Sequence, residues 1–110
     1  LKSGGVVSLY GSNGLPANSL GDGYCVISGA GAPGNCAGAI QVFSGSDMNL
    51  TIDIYNPSRQ IQNTLQFDDL GALANTNGQI RMINICRTGF VGREIQISLI
   101  GRAKIVEFNC

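Results

Sequence analysis

No window of helical length in this 110-residue chain places apolar residues at the three-and-four spacing of an amphipathic helix, whereas short runs alternating apolar with polar residues recur throughout. That period of two restricts the fold to strands with one face buried. "GVVSLY" at 5–10 puts Val7 and Leu9 on one face, and "YCVI" at 24–27 is a second short strand. "AGAIQVF" at 37–43 is expected to turn Ile40 and Val42 inward. "LTIDIY" at 50–55 sets Leu50, Ile52 and Ile54 against Thr51, Asp53 and Tyr55, and "IQNTLQF" at 61–67 follows as another strand. "IRMINIC" at 80–86 is apolar on both faces, as a central strand or a bulged one would be. "EIQISLI" at 94–100 has Ile95, Ile97 and Leu99 inward, and "RAKIVEF" at 102–108 is the last strand, with Gly101 between them as a tight turn or bulge.

Between these runs lie turn-forming clusters such as "SNGLPANSLGDG", "GAGAPGNC", "SGSD", "NPSRQ" and "DDLGALANTNGQ". Seven to eight strands at roughly ten-residue spacing predict an all-β fold of antiparallel sheets packed face to face. The length fits a single domain over 1–110, and a chain of this size buries roughly two thirds of its unfolded surface. With 13% charged residues and sixteen glycines, much of that surface must be glycine, small polar side chains and backbone.

Four cysteines, Cys25, Cys36, Cys86 and Cys110, lie eleven, fifty and twenty-four residues apart. There is no His and no C-x-x-C pair, so the spacing suits a closed zinc site poorly and no metal is expected. Two disulfides are expected instead. Of the three possible connectivities, Cys25 with Cys36 and Cys86 with Cys110 is favoured, because each bond then closes a local loop. The smaller ring is worth about 2 to 3 kcal/mol on the chain-entropy model. Such bonds point to an oxidising compartment. No signal peptide and no run of eighteen apolar residues occurs, and the chain opens on Leu1-Lys2-Ser3 without Met, as a mature or truncated product would.

Catalytic constellations are missing. Without His there is no base for a serine or cysteine nucleophile. Asp68 and Asp69 are adjacent, so on a strand they would face opposite sides, and they read as a turn before Gly71. "GAGAPG" lacks the order, helix and acidic partner of a dinucleotide loop, and "SGSDMN" offers calcium a single carboxylate. Neither enzymatic activity nor a cofactor is expected.

The net charge is zero, but it is unevenly distributed. Residues 1–70 hold Lys2 and Arg59 against five aspartates, a balance of minus three; residues 71–110 hold Arg81, Arg87, Arg93, Arg102 and Lys104 against Glu94 and Glu107, a balance of plus three. Arg102 and Lys104 stand two apart, about 7 Å along a strand, a spacing that matches neighbouring phosphates. Arg93 would join them if the last two strands form a hairpin near Gly101. A solvated strand face, or charges that keep an edge strand from pairing, is the competing reading.

The last 46 residues carry a resemblance. "LQFDDLGAL" at 65–73, "IRMINIC" ending at Cys86, "GREIQISLIGRAKI" at 92–105 and the closing Cys110 together resemble the C-terminal half of the minor pilin family that joins the FimT and FimU pilins of type IV pili to the GspH pseudopilin of type II secretion. The resemblance implies a headgroup of antiparallel sheets, and an α+β pilin fold for the full-length protein. Its N-terminal hydrophobic helix, cut by a prepilin peptidase and methylated, would anchor the subunit in the inner membrane before assembly. "LKSG" at 1–4 would then be the last turn of that helix. The implied place is the periplasm and the extracellular pilus tip, and the implied partners are other minor and major pilins. In the FimT branch a Gly-Arg-x-Arg segment is associated with DNA binding in natural transformation and competence; here it reads Gly101-Arg102-Ala103-Lys104. Double-stranded DNA is thus a candidate partner, with Arg102, Lys104, Arg93, Arg81 and Arg87 as candidate contacts. The alternative is a GspH-like minor pseudopilin of a type II secretion system.

Overall fold

The computed structural model describes residues 5–12, 20–21, 23–29, 35–44, 50–62, 64–87 and 89–110. In chain order the strands are β1 (Val7–Gly11), β2 (Gly23–Ser28), β3 (Gln41–Ser44), β4 (Leu50–Tyr55), β5 (Ile61–Gln62), β6 (Thr64–Phe67), β7 (Arg81–Arg87), β8 (Val91–Ile97) and β9 (Ala103–Asn109). They form two antiparallel sheets, one ordered β3-β2-β1-β6 and the other β5-β4-β7-β8-β9. The all-β reading holds, and β7 is central as its two apolar faces require. The expectations on "LKSG", on the calcium reading of "SGSDMN" and on most of "SNGLPANSLGDG" and "GAGAPG" lie outside the described residues.

Leu20, Ile54, Leu65, Ile83 and Ile97 are buried together, with Leu9, Ile52, Phe67, Ile85 and Ile95 packed against them. Period-two alternation brings the strand residues among these to the facing sides of the two sheets, and Leu20 joins them from the turn before β2. "IQNTLQF" is divided rather than continuous. Ile61 pairs with Tyr55 in one sheet and Thr64 pairs with Tyr10 in the other, so this run carries the chain from one layer to the other.

Two inward assignments fail for identifiable reasons. Ile40 and Val42 are 60% and 59% exposed. The register of edge strand β3 pairs Phe43 with Tyr24, so Phe43 takes the inner side and its ring stacks on Tyr24 at 4.4 Å. Leu99 is 42% exposed because β8 ends at Ile97, and the alternation stops where the turn begins. Conversely, Ser8, Tyr10 and Cys25 are fully buried on the side of their sheet away from the core. Gly29, Asn35 and Cys36 meet them there: the Tyr10 hydroxyl donates to the Asn35 carbonyl at 2.6 Å, the Ser8 hydroxyl donates to the Gly29 carbonyl at 2.7 Å, and Cys25 is bonded to Cys36.

Both expected disulfides are present, with Cα separations of 5.9 Å for Cys25–Cys36 and 5.7 Å for Cys86–Cys110. The second does more than close a loop. β7 and β9 are separated by β8 and so lie about 10 Å apart at two strand spacings. Past Asn109 the chain therefore bends back over β8, and the bond crosses that strand at Gly92. A Cβ there would lie 2.6 Å from Cys110 Sγ and 2.8 Å from the Phe108 ring. Gly92 is the glycine of the first Gly-Arg pair, and its missing side chain is the gap the disulfide occupies.

Candidate binding site at the β8–β9 turn

Two tight turns with the same hydrogen bonding meet at one end of the molecule. In the first, Gly71 N donates to Asp68 O and Asp68 N to Ala72 O; in the second, Gly101 N donates to Ser98 O and Ser98 N to Arg102 O. Each is a type I turn followed by a bulge residue in the left-handed region, with φ of +85° at Gly71 and +88° at Gly101. The Asp68 carboxylate accepts from Leu70 N and Ala72 N at 2.9 and 3.0 Å, which gives the acidic pair its turn-forming role. Leu73 N donates to Leu99 O at 3.0 Å and ties the turns together. They approach so closely that a Cβ on Gly101 would collide with the Gly71 carbonyl oxygen.

Turn tips are ordinarily polar, yet these carry Leu70, Leu99 and Ile100, of which Leu70 is 88% and Ile100 68% exposed. Beside the second turn lies an open groove of about 640 Å³, walled by Ile80, Ile97, Leu99 and Ile100, with Arg102 and Lys104 at its rim. Sequence reasoning missed the walls. The available signal was the run Ser98-Leu99-Ile100-Gly101, where the two central positions of a turn are both aliphatic.

The five candidate phosphate contacts are not brought together. Arg81 is buried between the sheets, where its guanidinium donates to the Ile80 carbonyl and burial lowers its pKa below that of a free guanidinium. Arg93 does not join Arg102 and Lys104, although the hairpin does turn at Gly101. Arg93 is paired with Glu107 and Gln96 with Lys104 in the β8–β9 register. Three positions along the strand, about 10 Å, and a change of face separate them. Arg93 also lies 3.7 Å from the Glu107 carboxylate. Arg87 is at the opposite end of β7, its guanidinium 4.8 Å from the Phe90 ring centre. Arg102 precedes β9 rather than belonging to it. It and Lys104 are exposed, and neither side chain meets a carboxylate among the described residues.

Arg59 and Glu94 form a separate ion pair of 2.6 Å on the outer face of the five-stranded sheet. Glu94 is 5% exposed. Burial pushes its pKa up, but hydrogen bonds from Arg59 and Gln96 and the charge of Arg59 outweigh this and hold it below the ordinary carboxylate value. Arg59 itself sits in the left-handed region at φ 61°, the bulge position of a third such turn, from Asn56 to Gln60.

The two facing antiparallel sheets with their cysteine-closed ends make a pilin-like fold of the headgroup class. In particular, the chain is similar to the type IV minor pilin FimU of Pseudomonas aeruginosa strain PAO1. Two crystal structures of FimU match it with TM-scores of 0.65 and 0.64 at 25% identity, covering 92% of this chain and 69% and 73% of theirs. No protein-family model and no curated protein matches the chain.

Proposed function

We propose that the protein is a minor pilin of a type IV pilus, whose headgroup acts at the filament tip through contacts with other minor and major pilins. The observation that carries this is the FimU likeness, which extends over 92% of the chain and so includes both sheets. The two disulfides suit a periplasmic and then extracellular position. An inner-membrane anchor upstream of the headgroup and a structural rather than enzymatic role belong to the same reading. The test is disruption of the gene in its own host. Loss of surface pili, restored by the full-length protein, is the expected result. Normal piliation with a defect in protein secretion would instead establish the GspH-like alternative.

A second reading adds double-stranded DNA as a partner in natural transformation. It is favoured by the exposed Arg102 and Lys104, which face no carboxylate among the described residues. With two cations the affinity would be weak, independent of sequence and steeply reduced by salt. A gel shift at low salt tests it: binding that disappears in Arg102→Ala plus Lys104→Ala is expected, and no shift with the intact domain, or no loss in the double variant, removes the reading.

A further inference from the structure

β9 is an edge strand of seven residues, and its far side faces no strand among the described residues. Ser98 N donates to Arg102 O, which makes these two the hydrogen-bonded pair that closes the hairpin. Bonded and non-bonded pairs alternate along an antiparallel ladder, so the backbone groups of Ala103, Ile105 and Glu107 point away from β8. They form a row of donors and acceptors that no strand among the described residues takes up. Edge strands are commonly protected by charged side chains, bulges, prolines or a covering loop; the 103–109 run carries Lys104 and Glu107, but it has no proline and its register with β8 shows no bulge. Ile105, on this strand, is 65% exposed.

The start of this open edge adjoins the groove, where aliphatic walls meet Arg102 and Lys104, neither of which is ion-paired among the described residues. Three features thus converge: main-chain groups that pair with a strand, a pocket that takes apolar side chains, and positive charge that takes a carboxylate. A DNA backbone would satisfy the last and leave the aliphatic walls uncovered. We propose that the groove and the β9 edge dock an extended segment of a partner protein, added antiparallel to β9 as a sixth strand. Its apolar side chains enter the groove, and an acidic residue near its C-terminal end reaches Arg102 and Lys104. Charge complementarity selects this occupant. The inference goes beyond the pilin reading and does not depend on it.

The test uses the disulfide-intact chain, isotope-labelled for NMR, and a synthetic peptide of alternating valine and threonine ending in two aspartates, compared with the same peptide ending in two lysines. Saturable shifts confined to 98–107 are expected with the acidic peptide, with affinity at least roughly tenfold above that for the basic one. Ile105→Pro removes an outward N–H that the fold does not use, so the chain should remain folded and lose the peptide. Arg102→Ala plus Lys104→Ala should bind both peptides equally. Shifts elsewhere, or equal affinity of the unaltered chain for both peptides, would overturn the proposal. So would a DNA duplex binding the same residues more tightly than the acidic peptide, or shifts that grow with chain concentration alone and reveal a second copy on the edge.

Discussion

Replacing Gly92 by alanine tests whether the second disulfide depends on the gap it crosses. The added Cβ would meet Cys110 Sγ at 2.6 Å and Phe108 Cζ and Cε1 at 2.8 and 2.9 Å. The phenyl ring is the far end of a rotatable side chain and can swing aside. The sulfur cannot, because it is bonded to Cys86. Overpacking of this kind costs about 1 to 3 kcal/mol. If the bond opens instead, the loss is that of a ring closed across 24 residues, about 3.5 kcal/mol on the chain-entropy model. Either way the expected destabilisation is about 1 to 3.5 kcal/mol, and each kcal/mol lowers Tm by roughly 4 °C in a chain of this length. Thermal unfolding, with thiol titration of the native protein, separates a strained bond from an open one. In a Cys86→Ala, Cys110→Ala background the sulfur is gone, and the same glycine substitution should cost at least about 1 kcal/mol less. Equal costs in the two backgrounds, or a variant as stable as the unaltered protein with its disulfide intact, would refute the crossing geometry.

Gly101→Ala should be more damaging than Gly89→Ala, although both glycines have positive φ. Gly89 has open space around it, so alanine there costs about 1 to 2 kcal/mol of left-handed strain, whereas at Gly101 a collision with a backbone oxygen adds about 1 to 3 kcal/mol. Urea unfolding of the pair checks the difference, and equal losses would contradict the contact between the two turns. Arg59→Ala is expected to cost about 1 to 2 kcal/mol at pH 7, a figure reduced because the arginine side chain is 57% exposed. It should also reverse a pH dependence. With Arg59 in place the Glu94 pKa is lowered on folding, so its contribution is complete above the ordinary carboxylate pKa and is lost as pH falls through the folded value. Without Arg59 the effect of burial, the largest of the causes, is opposed only by the Gln96 hydrogen bond and raises the pKa, so protonation favours the folded state and the variant's deficit shrinks as pH falls toward about 4. A deficit independent of pH between 7 and about 4 would show that Glu94 does not titrate in this way.

Period-two alternation, turn chemistry and an even cysteine count are local properties, so the β class, β7 as a central strand, the Asp68–Gly71 turn and both disulfides were legible in the order of residues. Which face of a strand is buried was legible only where the opposing sheet supplies apolar partners. Ser8 and Tyr10 look like outward residues, yet both are buried and bonded to Gly29 and Asn35, more than twenty residues away. Ile40 and Val42 look like core residues, and are exposed because cross-strand register assigned the inner side to Phe43. Among the cations, charge was visible in the sequence but grouping was not. Register sends Arg93 to another face, and burial takes Arg81 out of reach, leaving Arg102 and Lys104 beside a groove.

The sequence by itself therefore determined most of the strands, the turns and the pairing of the cysteines, because alternation, turn chemistry and loop closure are read along the chain, whereas the division of 61–67 between two sheets was not. Tertiary structure alone decided the open β9 edge, the meeting of Gly71 with Gly101, and the passage of a disulfide over Gly92. Each of these follows from how two sheets and their registers place residues that no local pattern relates.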